Sequence, residues 1–198
     1  MTLEQLQEMI KTGDLESVVR THILGAPSSH FDQSKIGRVR EVLGAKYGVQ
    51  LEAADVHIVG SAKLGYALFD KWEQGAQLRA FRAFRPGSDI DVAITSQDIF
   101  EKVWADLAVF VNGKSKIPWD SGQLGDYFLY GWIRPDHFPK GARIQKCDDW
   151  WDAFRFLSSD VTLGRRKIRG ALYFSVDHLV RYQVRSLQKC RSNLERMA

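Results

Sequence analysis

The stretch "HIVGSAKLGYAL", residues 57–68, decides how this chain is read. Its apolar beginning, with Val56 before it, predicts a strand over 56–59, and the residues after Ser61 predict a helix over about 62–69. Gly60 lets the backbone come close to a ligand, and Ser61 is placed to open the helix. A serine hydroxyl and first-turn amides suit a phosphate oxygen, and Lys63 adds a positive charge in the same turn. The spacing is not that of a P-loop, which needs GxxxxGK[ST]. A plain strand–helix junction would look the same, so the turn alone assigns nothing.

The other half of the argument is "FRPGSDIDVAI", residues 84–94. Asp89 and Asp91 are two apart on a predicted strand over 88–95, so their carboxylates share one face while Ile90, Val92 and Ile94 take the other. Aspartate is disfavoured in strands, and two of them here are costly without a use. Adjacent carboxylates raise one another's pKa unless a cation sits between them. The usual cation is Mg²⁺, held by one or two carboxylates plus substrate phosphates. A strand–Gly-Ser–helix unit followed by a strand bearing Asp-x-Asp therefore offers a phosphate cradle and a metal platform.

"VGSAKLG" followed by "PGSDIDVAI" resembles the nucleotidyltransferase superfamily typified by DNA polymerase beta, whose signature is a Gly-Ser turn, a helix, and a strand reading apolar-Asp-apolar-Asp-apolar. The likeness covers residues 56–94, and Ser88 completes the common "SDID" form. It implies that Gly60 and Ser61 hold a nucleoside triphosphate, with Lys63 and Ser88 beside them. It implies that Asp89 and Asp91 are the catalytic carboxylates and bind Mg²⁺ or Mn²⁺. The implied reaction is transfer of a nucleotidyl group to a hydroxyl on RNA, a nucleotide, a small molecule or a protein, with release of pyrophosphate.

Two features depart from the family's pattern. Ser61 and Asp89 are 28 positions apart, so "DKWEQGAQLRAFRAFRP", residues 70–86, loops out between helix and strand. Phe81 and Phe84 are expected to anchor this insert, while Arg79, Arg82 and Arg85 could pair with phosphates. The family also takes a third carboxylate from a later strand. The later strand expected here, "KIRGALYFS", residues 167–175, contains no acid, and Arg169 or Ala171 stands at that place. Asp120, Asp126 and Asp136 fall in a segment read as loop. A second reading follows: a degenerate member of the fold that binds nucleotide or nucleic acid without catalysis, as part of a larger complex.

Around this core the periodicity predicts helices over 3–12 and 14–24, a helix from Ser34 to Lys46 capped by Ser34, and a helix after Ser96. From Asn112 to Lys146 the chain reads as loop with one strand, Tyr127 to Ile133. A helix over 147–159 and a closing helix beginning near Ser175 complete it. The fold class is α/β (α+β): one domain over 1–198, a mixed sheet flanked by helices. It divides into a helical N-terminal segment (1–50), a motif-bearing core (51–111) and a basic strand–helix (161–198). That last part holds nine Lys or Arg against two acids, within a net charge of only +4, and could face RNA or another polyanion as readily as solvent. No apolar run is long enough for a membrane span. Two cysteines, Cys147 and Cys190, without metal spacing point to a reducing, cytoplasmic setting and no disulfide framework.

Overall fold

β4 (Ile90–Thr95) is the middle of the molecule, and its alternation builds everything around it. Ile90, Val92 and Ile94 are all but fully buried on one face, as the pattern requires. On one side β4 pairs antiparallel with β1 (Val56–Val59), Val56 opposite Ile94 and Val59 opposite Asp91. On the other it pairs in parallel with β6 (Ile168–Tyr173), Asp91 beside Arg169. The two-residue β5 (Trp132–Ile133) pairs antiparallel with β6, giving the order β1-β4-β6-β5. The fold is thus the mixed α/β architecture expected. The computed structural model describes residues 1–73, 75–113, 121–138 and 143–197.

Both faces of the sheet are covered. On the Ile90 face pack α3 (Gln33–Tyr47), α5 (Gln97–Asn112) and α7 (Gln145–Ser159), with Leu43, Val103 and Trp150 fully buried among strand side chains. Each such side chain contributes about 1.5–3 kcal/mol by leaving water. On the other face lie α1 (Leu3–Thr12), α2 (Leu15–Val18) with the π-helical turn Val19–Gly25 that continues it, and α8 (Val176–Met197). Arg191 of α8 ties α1 in place by donating to the carbonyls of Ile10 and Gly13. The free thiols fall in different cores, Cys147 in the first and Cys190 in the second, so they cannot pair. Among the described residues no helix is long and apolar enough to cross a membrane.

Three local expectations are corrected. The helix after Ser61 is α4, Ser61–Leu64 only, because Gly65 turns left-handed (φ 83°) and ends it. Ser34 does not cap α3; Asp32 does, accepting from the Lys35 amide at 3.0 Å. The segment Tyr127–Ile133 is not one strand: its first three residues end α6 (Ser121–Leu129), a turn follows, and the strand shrinks to β5. Its aromatic composition suggests a strand, but Phe128 turns inward onto Phe100 while Leu129 points out to solvent. Gly131 (φ 64°) then makes the turn into β5. Ser96, by contrast, caps α5 as expected, accepting from the Ile99 amide.

Candidate functional site

The insert closes on itself, and that closure builds the site. After Gly65 the chain leaves through Tyr66 and Ala67, forms the hairpin β2 (Lys71–Glu73) and β3 (Ala76–Leu78), and returns along the same path. Tyr66 bridges Ala83, Ala67 exchanges backbone hydrogen bonds with Phe81 and Arg82, and the Phe84 amide donates to Gly65 O at 2.7 Å. Phe81 packs into the second core, and Phe84 against the first, under the guanidinium of Arg166. The phenylalanines are therefore anchors. Arg82 donates to the carbonyls of Phe69 and Arg79. Arg166 also donates to Pro86 O, which fixes the turn leading into Asp89.

The two motifs meet at the sheet edge. Because Val59 stands opposite Asp91, Gly60 lies directly against that carboxylate. A Cβ on Gly60 would come 2.9 Å from Asp91 Oδ2, and the glycine sits at φ 63°, ψ −148°, a conformation other residues rarely adopt. The strand begins at Ile90 rather than Ser88, so Asp89 immediately precedes β4 while Asp91 lies on it, on the face opposite Ile90 and Val92; the Asp89 charge still acts on Asp91. Asp91 is half-buried, and its carboxylate makes no hydrogen bond or ion pair among the described residues. Burial, and after it the charge of Asp89, pushes the Asp91 carboxyl above the ordinary aspartate value; Arg169, Arg134 and Lys71 pull the other way.

Arg169 stands on β6 in register with Asp91. Its Nε lies 2.9 Å from Asp89 Oδ2, and the two groups form an ion pair. Beyond it, Arg134 is paired with Asp136 through two hydrogen bonds. An aromatic wall continues along the same face: Tyr173 meets Tyr182 at 5.6 Å between ring centroids, Tyr182 meets Trp132 at 4.9 Å, and Trp132 meets Tyr127 at 4.5 Å.

The expected site residues divide. Gly60, Asp89 and Asp91 converge. Ser61 begins α4 rather than capping it, since Gly60 holds the cap position; its side chain is half-buried, and no hydrogen bond to its hydroxyl is present among the described residues. The Lys63 and Leu64 amides are taken by Gly60 O, which leaves the Ser61 and Ala62 amides outside the helical pattern. Lys63 points away: its ammonium donates to the carbonyl of Ala26, so it adds no charge to the cradle. Ser88 closes the turn before the strand, its hydroxyl accepting from the Arg85 amide at 3.1 Å and its own amide donating to Arg85 O. His57 is structural, half-buried with Nε2 3.4 Å from Thr95 Oγ1. Among the loop acids, Asp126 is exposed on α6, Asp136 is held by Arg134, and Asp120 lies outside the described residues.

Sequence reasoning located Arg169 but not its ion pair; it weighed the aromatic run that holds Trp132 as a base-stacking wall but preferred a half-buried strand, and it gave Arg134 and Tyr182 no place at the site. For Arg169 the signal was present, because alternation along β6 puts Arg169, Ala171 and Tyr173 on one face. For Arg134 and Tyr182 there was none, since only tertiary packing brings them to this edge. Compared with known protein families, with curated proteins and with solved structures, the chain matches none. Among the described residues no group of three or more His, Cys, Asp or Glu could hold a metal ion. The donors available at this edge are two hard carboxylates, one of them engaged by an arginine.

Proposed function

We propose that this protein transfers a nucleotidyl group from a nucleoside triphosphate to a hydroxyl acceptor, at the edge formed by Gly60, Ser61, Asp89 and Asp91. The observation that carries the reading is the contact between the two motifs. A glycine held in a conformation that few other residues adopt leaves room for an unpaired, half-buried carboxylate at 2.9 Å from where a side chain would begin. Asp91, its carboxyl pushed up by burial and by Asp89, has the character of a functional carboxylate.

The residues present fit one divalent ion rather than a three-carboxylate pair of ions. Asp89 and Asp91 would supply two carboxylate ligands and the substrate phosphates the others, the donor set Mg²⁺ and Mn²⁺ prefer. A bound ion would polarise the α-phosphate and offset charge on the leaving pyrophosphate. This chain's residues do the positioning: the Ser61 hydroxyl and the Ser61 and Ala62 amides face phosphate oxygens. The Tyr127–Trp132–Tyr182 wall offers rings of the kind on which a base stacks.

The test is incubation with each α-³²P-labelled triphosphate and Mg²⁺ or Mn²⁺, with and without cellular RNA and protein. Label passed to an acceptor, and lost in Asp91→Ala, supports the proposal and reveals the acceptor class. A specific observation favours a second reading, a binding module without chemistry: Arg169 pairs with Asp89, and β6 carries no acid that could activate the acceptor. Metal-dependent nucleotide binding with no transfer to any acceptor selects that reading.

A further inference from the structure

Resting on that site reading, we infer that Arg169 is a built-in counter-cation of the Asp89–Asp91 pair, which keeps a free divalent ion out and admits one together with a phosphate-bearing ligand. The guanidinium reaches Asp89 Oδ2 through Nε at 2.9 Å and is carried on the strand beside Asp91, in register with it. Its strand neighbours Ile168 and Gly170 are buried, so its backbone has no freedom to withdraw. The side chain is 36% exposed, and its remaining N–H groups make no hydrogen bond among the described residues. They are free to meet phosphate oxygens, for which the planar fork of arginine is suited.

The charges decide the order of events. Arg134 is paired with Asp136, and Lys71 with Glu73, so each acts on Asp91 as part of an ion pair, behind Arg169 in strength. Asp89, Asp91 and Arg169 together leave a single negative charge where two bare carboxylates would leave two. A divalent ion arriving alone meets an arginine at ion-pair distance from one of its ligands, and the repulsion weakens its binding. A triphosphate reverses the balance: its oxygens take the guanidinium's free N–H groups, releasing Asp89 to the ion that the phosphates themselves carry. Cation and triphosphate are thereby coupled, each binding better in the presence of the other.

The experiment measures Mn²⁺ binding directly, by the paramagnetic resonance of the free ion. It compares the full chain with Arg169→Gln, Arg169→Lys and Asp91→Asn, without nucleotide. Calorimetry then follows Mn²⁺ with α,β-methylene triphosphates, which cannot transfer a nucleotidyl group. Arg169→Gln is expected to bind Mn²⁺ alone roughly tenfold tighter than the parent, or more, through loss of a neighbouring like charge. Arg169→Lys, which keeps the charge, stays near the parent, and Asp91→Asn loses the ion. If Arg169→Gln and the parent bind Mn²⁺ equally while both still take the Mn²⁺–triphosphate complex, the site stands and the counter-cation role is overturned. If none of the folded proteins binds Mn²⁺ or its triphosphate complex, the site reading fails and this inference with it.

Discussion

Replacing Gly60 by alanine tests the contact on which the site is built. The substitution has two separable effects. At φ 63°, ψ −148° any side chain strains the backbone, by about 1–3 kcal/mol. The new Cβ also lies 2.9 Å from Asp91 Oδ2 and 3.7 Å from Asp91 Cγ, so the carboxylate must swing aside. A rotation of ~30° away from its rotamer costs about 0.5–1.5 kcal/mol. Gly60→Ala should therefore destabilise the parent by about 1.5–4.5 kcal/mol, and in a chain of 198 residues each kcal/mol lowers Tm by about 2–4 °C. In an Asp91→Ala background the oxygen is gone and only the backbone part remains. Urea denaturation of the parent, both single variants and the double variant gives a coupling energy, expected at about 0.5–1.5 kcal/mol. Gly65→Ala is the control, since Gly65 has φ 83° but open space around its Cβ position; it should show strain without coupling to Asp91. A coupling of zero for Gly60 would refute the apposition of the two motifs.

Asp91→Asn should stabilise the protein at neutral pH. Burial and Asp89 raise the Asp91 carboxyl in the folded state, so the folded protein holds that proton more tightly than the unfolded chain. The parent accordingly loses stability as pH rises from the ordinary aspartate value through the raised one, and the gap to Asp91→Asn closes in acid; melts from about pH 3 to 8 would detect this, and a gap independent of pH would contradict it. Lys63→Met should lower stability by about 1 kcal/mol through loss of the bond to Ala26 O, yet leave nucleotide affinity within about twofold; a large affinity loss would return Lys63 to the cradle. Gly170→Ala should destabilise by about 3 kcal/mol or more, because its Cβ would collide with the rings of Phe154 and Trp150, and loss of near-ultraviolet dichroism would accompany it.

The parts of the fold that could be read in advance are those where one short-range pattern suffices. Ile90, Val92 and Ile94 alternate with Asp91, so both the strand and the face of its carboxylate were legible. The same holds for α5 behind its Ser96 cap and for the amphipathic α1, α7 and α8. Reading failed where two local signals competed. Ser34 and Asp32 are both good caps two residues apart, and backbone geometry chose the acid. The residues after Ser61 carry helical propensity, but Gly65 ends α4 because the neck of the insert takes Gly65 O for the Phe84 amide. Lys63 shares a turn with Ser61, yet its ammonium donates to the carbonyl of Ala26, 37 positions earlier in the chain.

The sequence by itself therefore determined the two carboxylates, the glycine beside them, the sheet-and-helix class and the lack of an acid on the later strand. These rest on residue type and on periods of two and 3.6, which need no knowledge of partners. Tertiary structure alone decided that Gly60 touches Asp91, that Arg169 binds Asp89, and that Arg134, Trp132 and Tyr182 gather at the same edge. Each of those facts depends on strand register and on the excursion between Gly65 and Phe84 closing at its neck, and register is set by packing across the whole sheet rather than by any one stretch of chain.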